Sequence, residues 1–160
     1  MADSVQMVEL KITIANIEDT ELLVRHRLSM WNDIRPELRK RAQELEELTR
    51  WWIKKKLSEG KLVGFIAKTQ AGLVAGSGCL WIREQPPSLI NPRLEAPYLM
   101  SIYTEEALRK KGVAKLIVQS AIEWCREHDY STITLHSSEA GFSLYAALGF
   151  KPTSEMRITL

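Results

Sequence analysis

The residues best suited to do chemistry lie in a short basic loop, Arg109-Lys110-Lys111-Gly112-Val113-Ala114, followed directly by Lys115-Leu116-Ile117-Val118. A glycine where a loop becomes a helix lets the backbone approach a ligand closely, because no Cβ stands in the way. The first N–H groups of a helix have no partner within it and lie at the positive end of its dipole, so an anion fits there. Three cations just before Gly112 add to that bias. The chemistry suggested is a pyrophosphate seat. An ordinary strand-to-helix turn with a solvated basic patch would use the same residues. Neither G-x-x-x-x-G-K-[ST] nor a G-x-G-x-x-G after a predicted strand occurs, which sets aside two common phosphate motifs.

Such a loop needs a strand before it and a helix after it. Tyr98 to Thr104 supplies the strand. The helix that follows carries Val113, Leu116, Ile117, Ala121, Trp124 and Cys125 at core spacing, and Ala114, Val118 and Ile122 widen its apolar face. Thr132 to His136 reads as the next strand, so strand–helix–strand implies a parallel, right-handed crossover. A last helix spans Ala140 to Leu148 with Gly149 as its stop, and Met156, Ile158 and Leu160 alternate as a closing strand.

Upstream, Leu10, Ile12 and Ile14 alternate with Lys11 and Thr13, the pattern of a half-buried strand after a loosely held Met1 to Val8. Asn16 or Asp19 can cap a helix bearing Leu22, Leu23, Leu28, Met30 and Trp31. Pro36 opens a second helix that Gly60 stops, with Leu38, Ala42, Leu45, Leu48 and Trp52 on one face. Residues 62–67 and 73–82 flank Gln70-Ala71-Gly72 as a hairpin, and Gly64, Gly76 and Gly78 within it suggest bulges or close backbone approaches. Glu84 to Pro97 holds four prolines and reads as a loop. The order is βααβββαβαβ: an α/β fold with a mixed central sheet, in one domain over residues 1–160.

A second motif, Leu144-Tyr145-x-x-Leu148-Gly149-Phe150, sits in the segment Ser138 to Phe150. Taken with Arg109-x-x-Gly112-x-Ala114, and with a strand between them, it resembles the GCN5-related N-acetyltransferase (GNAT) family. The motifs carry the resemblance from Tyr98 to Phe150, and the element order extends it over most of the chain. It implies an acetyl-CoA-binding fold in which two neighbouring parallel strands splay apart. The pantetheine arm would then pair with backbone at Ile102, Tyr103 and Thr104. The pyrophosphate would sit on the amides of Lys110, Lys111, Gly112, Val113 and Ala114. Arg109 would reach a phosphate or brace the loop, and Lys110, Lys111 and Lys115 would meet other CoA phosphates or stay solvated. Ser138 stands where many relatives carry an asparagine, so it would offer the cofactor one hydrogen bond in place of an amide's two. Glu106 occupies a position that is often proline.

The resemblance also implies that Tyr145 is the general acid that protonates the departing CoA thiolate. A phenol's reference pKa of ~10 keeps it protonated at neutral pH. A core tyrosine with its hydroxyl hydrogen-bonded is the other reading. Many relatives carry a glutamate base on the fourth strand, whereas this strand offers Met100, Ser101 and Ile102. Glu84, Glu95, Glu105 and His136 lie near predicted strand ends, as bases or as ordinary surface and packing residues. The implied acceptor groove draws on Trp31, Arg35, Trp51, Trp52 and the Glu84–Pro97 loop, with core packing as the favoured reading of the tryptophans. The expected activity is acetyl transfer from acetyl-CoA to an amine by direct attack in a ternary complex. The alternative is an acyl-CoA sensor without turnover. The acceptor is a small-molecule amine or an amine of a peptide or protein, and the oligomeric state is open, a homodimer included.

Composition narrows the classes. At 160 residues the chain is long enough for a full core, and 45% hydrophobic with 26% charged residues is ordinary for a globular protein. A net charge of +2 makes no case for general nucleic-acid or membrane affinity. Cys79 and Cys125 lack C-x-x-C spacing and read as buried thiols. His26, His128 and His136 show no metal-ligand spacing, so no metal is expected. With no signal-like apolar run near Met1, a cytoplasmic protein is expected.

Overall fold

The computed structural model describes residues 8–160, so the expectation for Met1 to Val8 lies, Val8 apart, outside the described residues. Five strands form one sheet in the order β1-β2-β3-β4-β5. They are β1 (Leu10–Ile14), β2 (Leu62–Thr69), β3 (Val74–Glu84), β4 (Glu95–Thr104) and β5 (Thr134–Leu135). The first four pair antiparallel, and β5 joins β4 in parallel. The helices are α1 (Thr20–Ile34), α2 (Arg39–Glu44), α3 (Glu46–Ser58), α4 (Val113–Glu127) and α5 (Phe142–Ala147). Asn16 caps the 3-10 turn that opens α1, its side chain accepting from Glu18 N–H. The mixed α/β architecture is the one expected.

Helix α4 covers one face of the sheet. Its buried residues Val113, Ile117, Val118, Ala121 and Cys125 recur every three to four positions and meet Phe65, Leu80, Ile82 and Leu99. Each large aliphatic buried there contributes roughly 1.5–3 kcal/mol. The other face takes α1 and α3, where Leu23, Val24 and Ile53 pack on Leu62 and Cys79 with Trp52, Trp81 and Met100 beside them. Cys79 and Cys125 are both free and buried, and burial pushes each thiol up to about 12.

The glycine-rich β3 allows the sheet to come this close to α4. A Cβ on Gly78 would stand 2.4 Å from Ile102 Cδ1 and 2.7 Å from Ile117 Cγ2, so only glycine leaves both isoleucines room. Opposite Gly78 the register slips: Ser77 faces Tyr103 and Cys79 faces Met100, leaving Ser101 and Ile102 against one residue. This is a β-bulge in β4, and Ser101 sits in it with φ 58°. The extra residue reverses side-chain parity. Met100 therefore joins the α1–α3 face, while Ile102 turns to the α4 face.

Three expectations need correction. The helix from Pro36 to Gly60 is broken: a 3-10 turn (Pro36–Leu38), α2 and α3 replace it, with Leu45 N–H bonded to Ala42 O at the break. The tighter turn resets the helical phase, so Ala42, Thr49 and Ile53 are buried while Leu38 and Leu48 face out. The strand read over Thr132 to His136 is ladder-paired only at Thr134–Leu135. The closing strand does not form, and Met156, Ile158 and Leu160 are exposed. Alternation alone cannot make a strand without a neighbouring row of N–H and C=O groups to pair with.

Candidate functional site

Strands β4 and β5 part early. They pair at Tyr98 with Thr134 and at Leu99 with Leu135, then no further. Beyond Leu99, β4 runs on past the bulge to Thr104 with no strand partner on its β5 side among the described residues. An unpaired strand edge offers N–H and C=O groups to any extended chain. Ile102, Tyr103 and Thr104, the residues singled out by the resemblance, lie on this edge.

The chain then turns through a 3-10 segment (Glu106–Leu108) into the basic loop. Lys110 has φ 60° and Gly112 φ 81°, both left-handed. Nothing lies within 4 Å of where a Gly112 Cβ would be, so the space above the loop is open. Gly112 is the N-cap of α4 and supplies no side-chain cap, so no side-chain cap meets the first N–H groups of the helix. Lys110, Lys111 and Lys115 are exposed around this end, Ala114 is half-buried, and Val113 is buried under it as part of the core. This end of α4 is therefore open, ringed by lysines and free of a side-chain cap.

Arg109 is otherwise engaged. Its Nη2 donates to Asp33 of α1 at 2.6 Å and its Nε to Thr104 O at 3.2 Å. These two bonds brace the loop. The brace also joins the loop to α1, as does the buried His26, whose Nδ1 lies 2.7 Å from Ser77 Oγ and whose Nε2 lies 2.9 Å from Glu105 Oε1. Burial lowers the His26 pKa despite Glu105. Glu105 feels burial too, but hydrogen bonds from His26 and Arg25 hold its carboxyl below the usual range.

On the far side of β5, α5 presents Tyr145. Its ring meets Phe150 edge-on at 5.9 Å and packs against the same core cluster as Ile102. Its hydroxyl makes no hydrogen bond among the described residues, and burial raises the phenol's pKa. The phenol is thus a neutral O–H donor at physiological pH with its proton uncommitted. Ser138 Oγ accepts Gly141 N–H at 3.2 Å and shapes the turn into α5.

A groove of about 440 Å³ opens on the α1–α3 face, lined by Arg27, Trp31, Leu45, Thr49, Trp52, Trp81, Tyr98 and Met100 among others. Trp31 and Trp52 line it. Trp51 does not: it points outward, with Lys55 Nζ 5.8 Å from its ring. Arg35 turns to Glu37, and the loop after Glu84 folds on itself through Asn91.

Of the strand-end candidates, Glu95 is taken by Lys61 and Tyr130, and Glu105 by His26 and Arg25. His136 does not line the groove but meets its wall at Tyr98. Its Nδ1 bonds the hydroxyl of Tyr98, and its Nε2 lies 2.8 Å from Glu155 Oε1. His136 was a candidate from the sequence, but its partners Tyr98 and Glu155, and Arg27 and Trp81 in the groove, carried no signal there, because only the fold brings them together. Among the described residues no cluster of three His, Cys, Asp or Glu is placed to hold a metal.

Comparison with known proteins agrees with this geometry. Human N-acetyltransferase 8 is 27% identical over 102 residues, which is 62% of this chain and 43% of that protein, so the chain spans less than half the length of this relative. A GCN5-related N-acetyltransferase from Ralstonia eutropha JMP134 superposes with a TM-score of 0.88 at 24% identity, covering 95% of this chain and 99% of that one. A predicted acetyltransferase from Clostridium acetobutylicum, with acetyl-CoA, gives 0.83 at 23% identity over 95% and 96%. The profile of the acetyltransferase (GNAT) family matches residues 17–150, and the chain belongs to that family.

Proposed function

We propose that the protein is an acetyl-CoA-dependent N-acetyltransferase acting on an amine held in the α1–α3 groove. The observation that carries this is the splay of β4 from β5 directly before an uncapped α4 N-terminus. The solved Clostridium acetobutylicum relative, described with acetyl-CoA, supports it. The β4 edge at Ile102 to Thr104 pairs with the pantetheine arm, and the amides from Lys110 to Ala114 take the pyrophosphate, with Lys115 beside them. Arg109 holds the loop to α1, so the two halves of the site keep their spacing.

The groove delivers the amine beside the thioester at the Met100–Ser101 end. The amine nitrogen forms a bond to the acyl carbon, and the carbon–sulfur bond then breaks with its electron pair on sulfur. Tyr145 gives its phenolic proton to that sulfur. On the acceptor side, His136 donates through Nε2 to Glu155, which leaves Nδ1 to accept the Tyr98 hydroxyl. Tyr98 can therefore take the proton of the attacking amine while passing its own to His136. Glu155, its carboxyl held low by the bond to His136, then faces an imidazolium.

The test is calorimetry with acetyl-CoA beside a free-thiol assay across a panel of amines. Wild-type protein is expected to bind and to release thiol. Tyr145→Phe is expected to keep acetyl-CoA affinity and to lose about 10²-fold or more in kcat. Undiminished kcat would remove Tyr145 from the mechanism. Binding without release on any amine would favour an acyl-CoA sensor.

A further inference from the structure

Arg27 is out of keeping with its surroundings. It projects from α1 into the groove, half-buried, with its guanidinium 4.3 Å from the Trp31 ring centre. Its one hydrogen bond runs from Nη1 to Ser101 Oγ at 2.7 Å. The arginines around the same helix are matched to carboxylates: Arg25 to Glu105, Arg50 to Glu21 and Arg109 to Asp33. Arg27 has no carboxylate partner among the described residues. The groove lining contains no Asp or Glu either, and its titratable neighbours are the buried thiol of Cys79 and the phenol of Tyr98.

A guanidinium in an apolar, aromatic cleft costs free energy unless an anion meets it. A second arginine stands just outside the lining. Arg83 stacks 4.6 Å from the Tyr98 ring centre and 5.9 Å from that of Trp81, at the edge of the aromatic wall. Arg83 lies outside the groove lining and within reach of Glu155, so Arg27 is the lining's one guanidinium, and the lining itself, walled by Trp31, Trp52 and Trp81, holds no carboxylate to balance a polycationic acceptor. Its volume of about 440 Å³ falls in the range of small-molecule sites, roughly 300–1,000 Å³.

We infer that the acceptor is a small amino acid-like molecule: an amine joined to an apolar or aromatic body and a carboxylate, with the carboxylate read by Arg27. This rests on the N-acetyltransferase reading above and names its substrate class. The planar guanidinium fork suits a bidentate carboxylate, and the indole faces take the apolar body. Ser101, bonded to Arg27, immediately precedes the β4 edge, so a carboxylate on Arg27 sets its amine close to Tyr98 and the thioester.

The test compares phenylalanine, phenylalaninamide and spermidine in the thiol-release assay, with tryptophan fluorescence reporting binding of phenylalanine in the presence of CoA. The acid is expected to exceed the amide by about tenfold or more in kcat/KM, as for loss of a charge-assisted pair. It is also expected to quench the groove tryptophans. Arg27→Gln is expected to bring the acid-to-amide ratio down toward one, and Arg27→Lys to restore part of it. If Arg27 only steadies the β4 bulge through Ser101, the variant lowers acid and amide by the same factor, the ratio stands, and the inference fails. A wild-type preference for the amide or for spermidine overturns the acceptor class and leaves the transferase reading intact. Acetyl-CoA binding with no thiol release from any amine overturns both.

Discussion

Gly112 offers a quantitative check on the pyrophosphate seat, because two substitutions there separate backbone strain from anion repulsion. Its φ of 81° is left-handed, and a side chain there would meet nothing within 4 Å. Gly112→Ala thus brings no clash, and its cost is the conformational one alone, ~1–2 kcal/mol. For a domain of this size that corresponds to a melting-point drop of about 2–8 °C. Gly112→Glu carries the same strain and adds a carboxylate beside the open helix end. At an exposed position, with an effective dielectric near that of water and a separation of ~5 Å, each phosphate charge is repelled by about 0.8 kcal/mol. Two phosphate charges make that roughly 1.6 kcal/mol, or about fifteenfold in Kd. Calorimetry with acetyl-CoA, beside thermal unfolding of the free proteins, reads both quantities. Similar melting points for the two variants, with affinity lost mainly in Gly112→Glu, are the expected result. Affinity in Gly112→Glu equal to wild type would refute the seat at the α4 N-terminus.

Two further outcomes follow from the site's proton wiring. Tyr98→Phe and His136→Gln are each expected to lower kcat by about 10²-fold, with acetyl-CoA affinity unchanged by calorimetry; full kcat in both would exclude this chain as the path for the amine proton. His26 bears on stability. Its folded pKa lies below its ordinary value of about 6.5, so the unfolded chain binds the extra proton first as pH falls. Its contribution is complete above about pH 6.5 and is lost below it, by at most ~1.4 kcal/mol per pH unit. Urea unfolding from about pH 7.5 to about 5.5 is expected to show this loss, and His26→Gln to flatten it. An equally steep decline in the variant would assign the effect elsewhere.

The chain's own order of residues determined the elements that local rules govern. The alternation of β1, the Gln70–Gly72 turn and the apolar stripe of α4 each encode their structure within a few residues, and each forms as expected. The proposed anion seat rests on local properties too, a glycine at a helix start and the dipole behind it. What the sequence misled on was regularity assumed to continue. The helix read from Pro36 to Gly60 breaks at Leu45, and the alternation at Met156, Ile158 and Leu160 finds no strand to pair with.

The acceptor side was decided only in three dimensions. One extra residue at Ser101 reverses which face Met100 and Ile102 serve, and periodicity carries no mark of such a bulge. Tyr98 meets His136 because two parallel strands, separated by a whole helix in sequence, lie side by side before they part. Arg27 looks like any surface residue of an amphipathic helix in the sequence. Its place against Trp31 and Ser101, with no carboxylate in reach, comes from packing α1 and α3 on the same face of the sheet. Local chemistry places a glycine and a basic loop at the start of α4, and long-range pairing assembles the groove on the opposite face of the sheet.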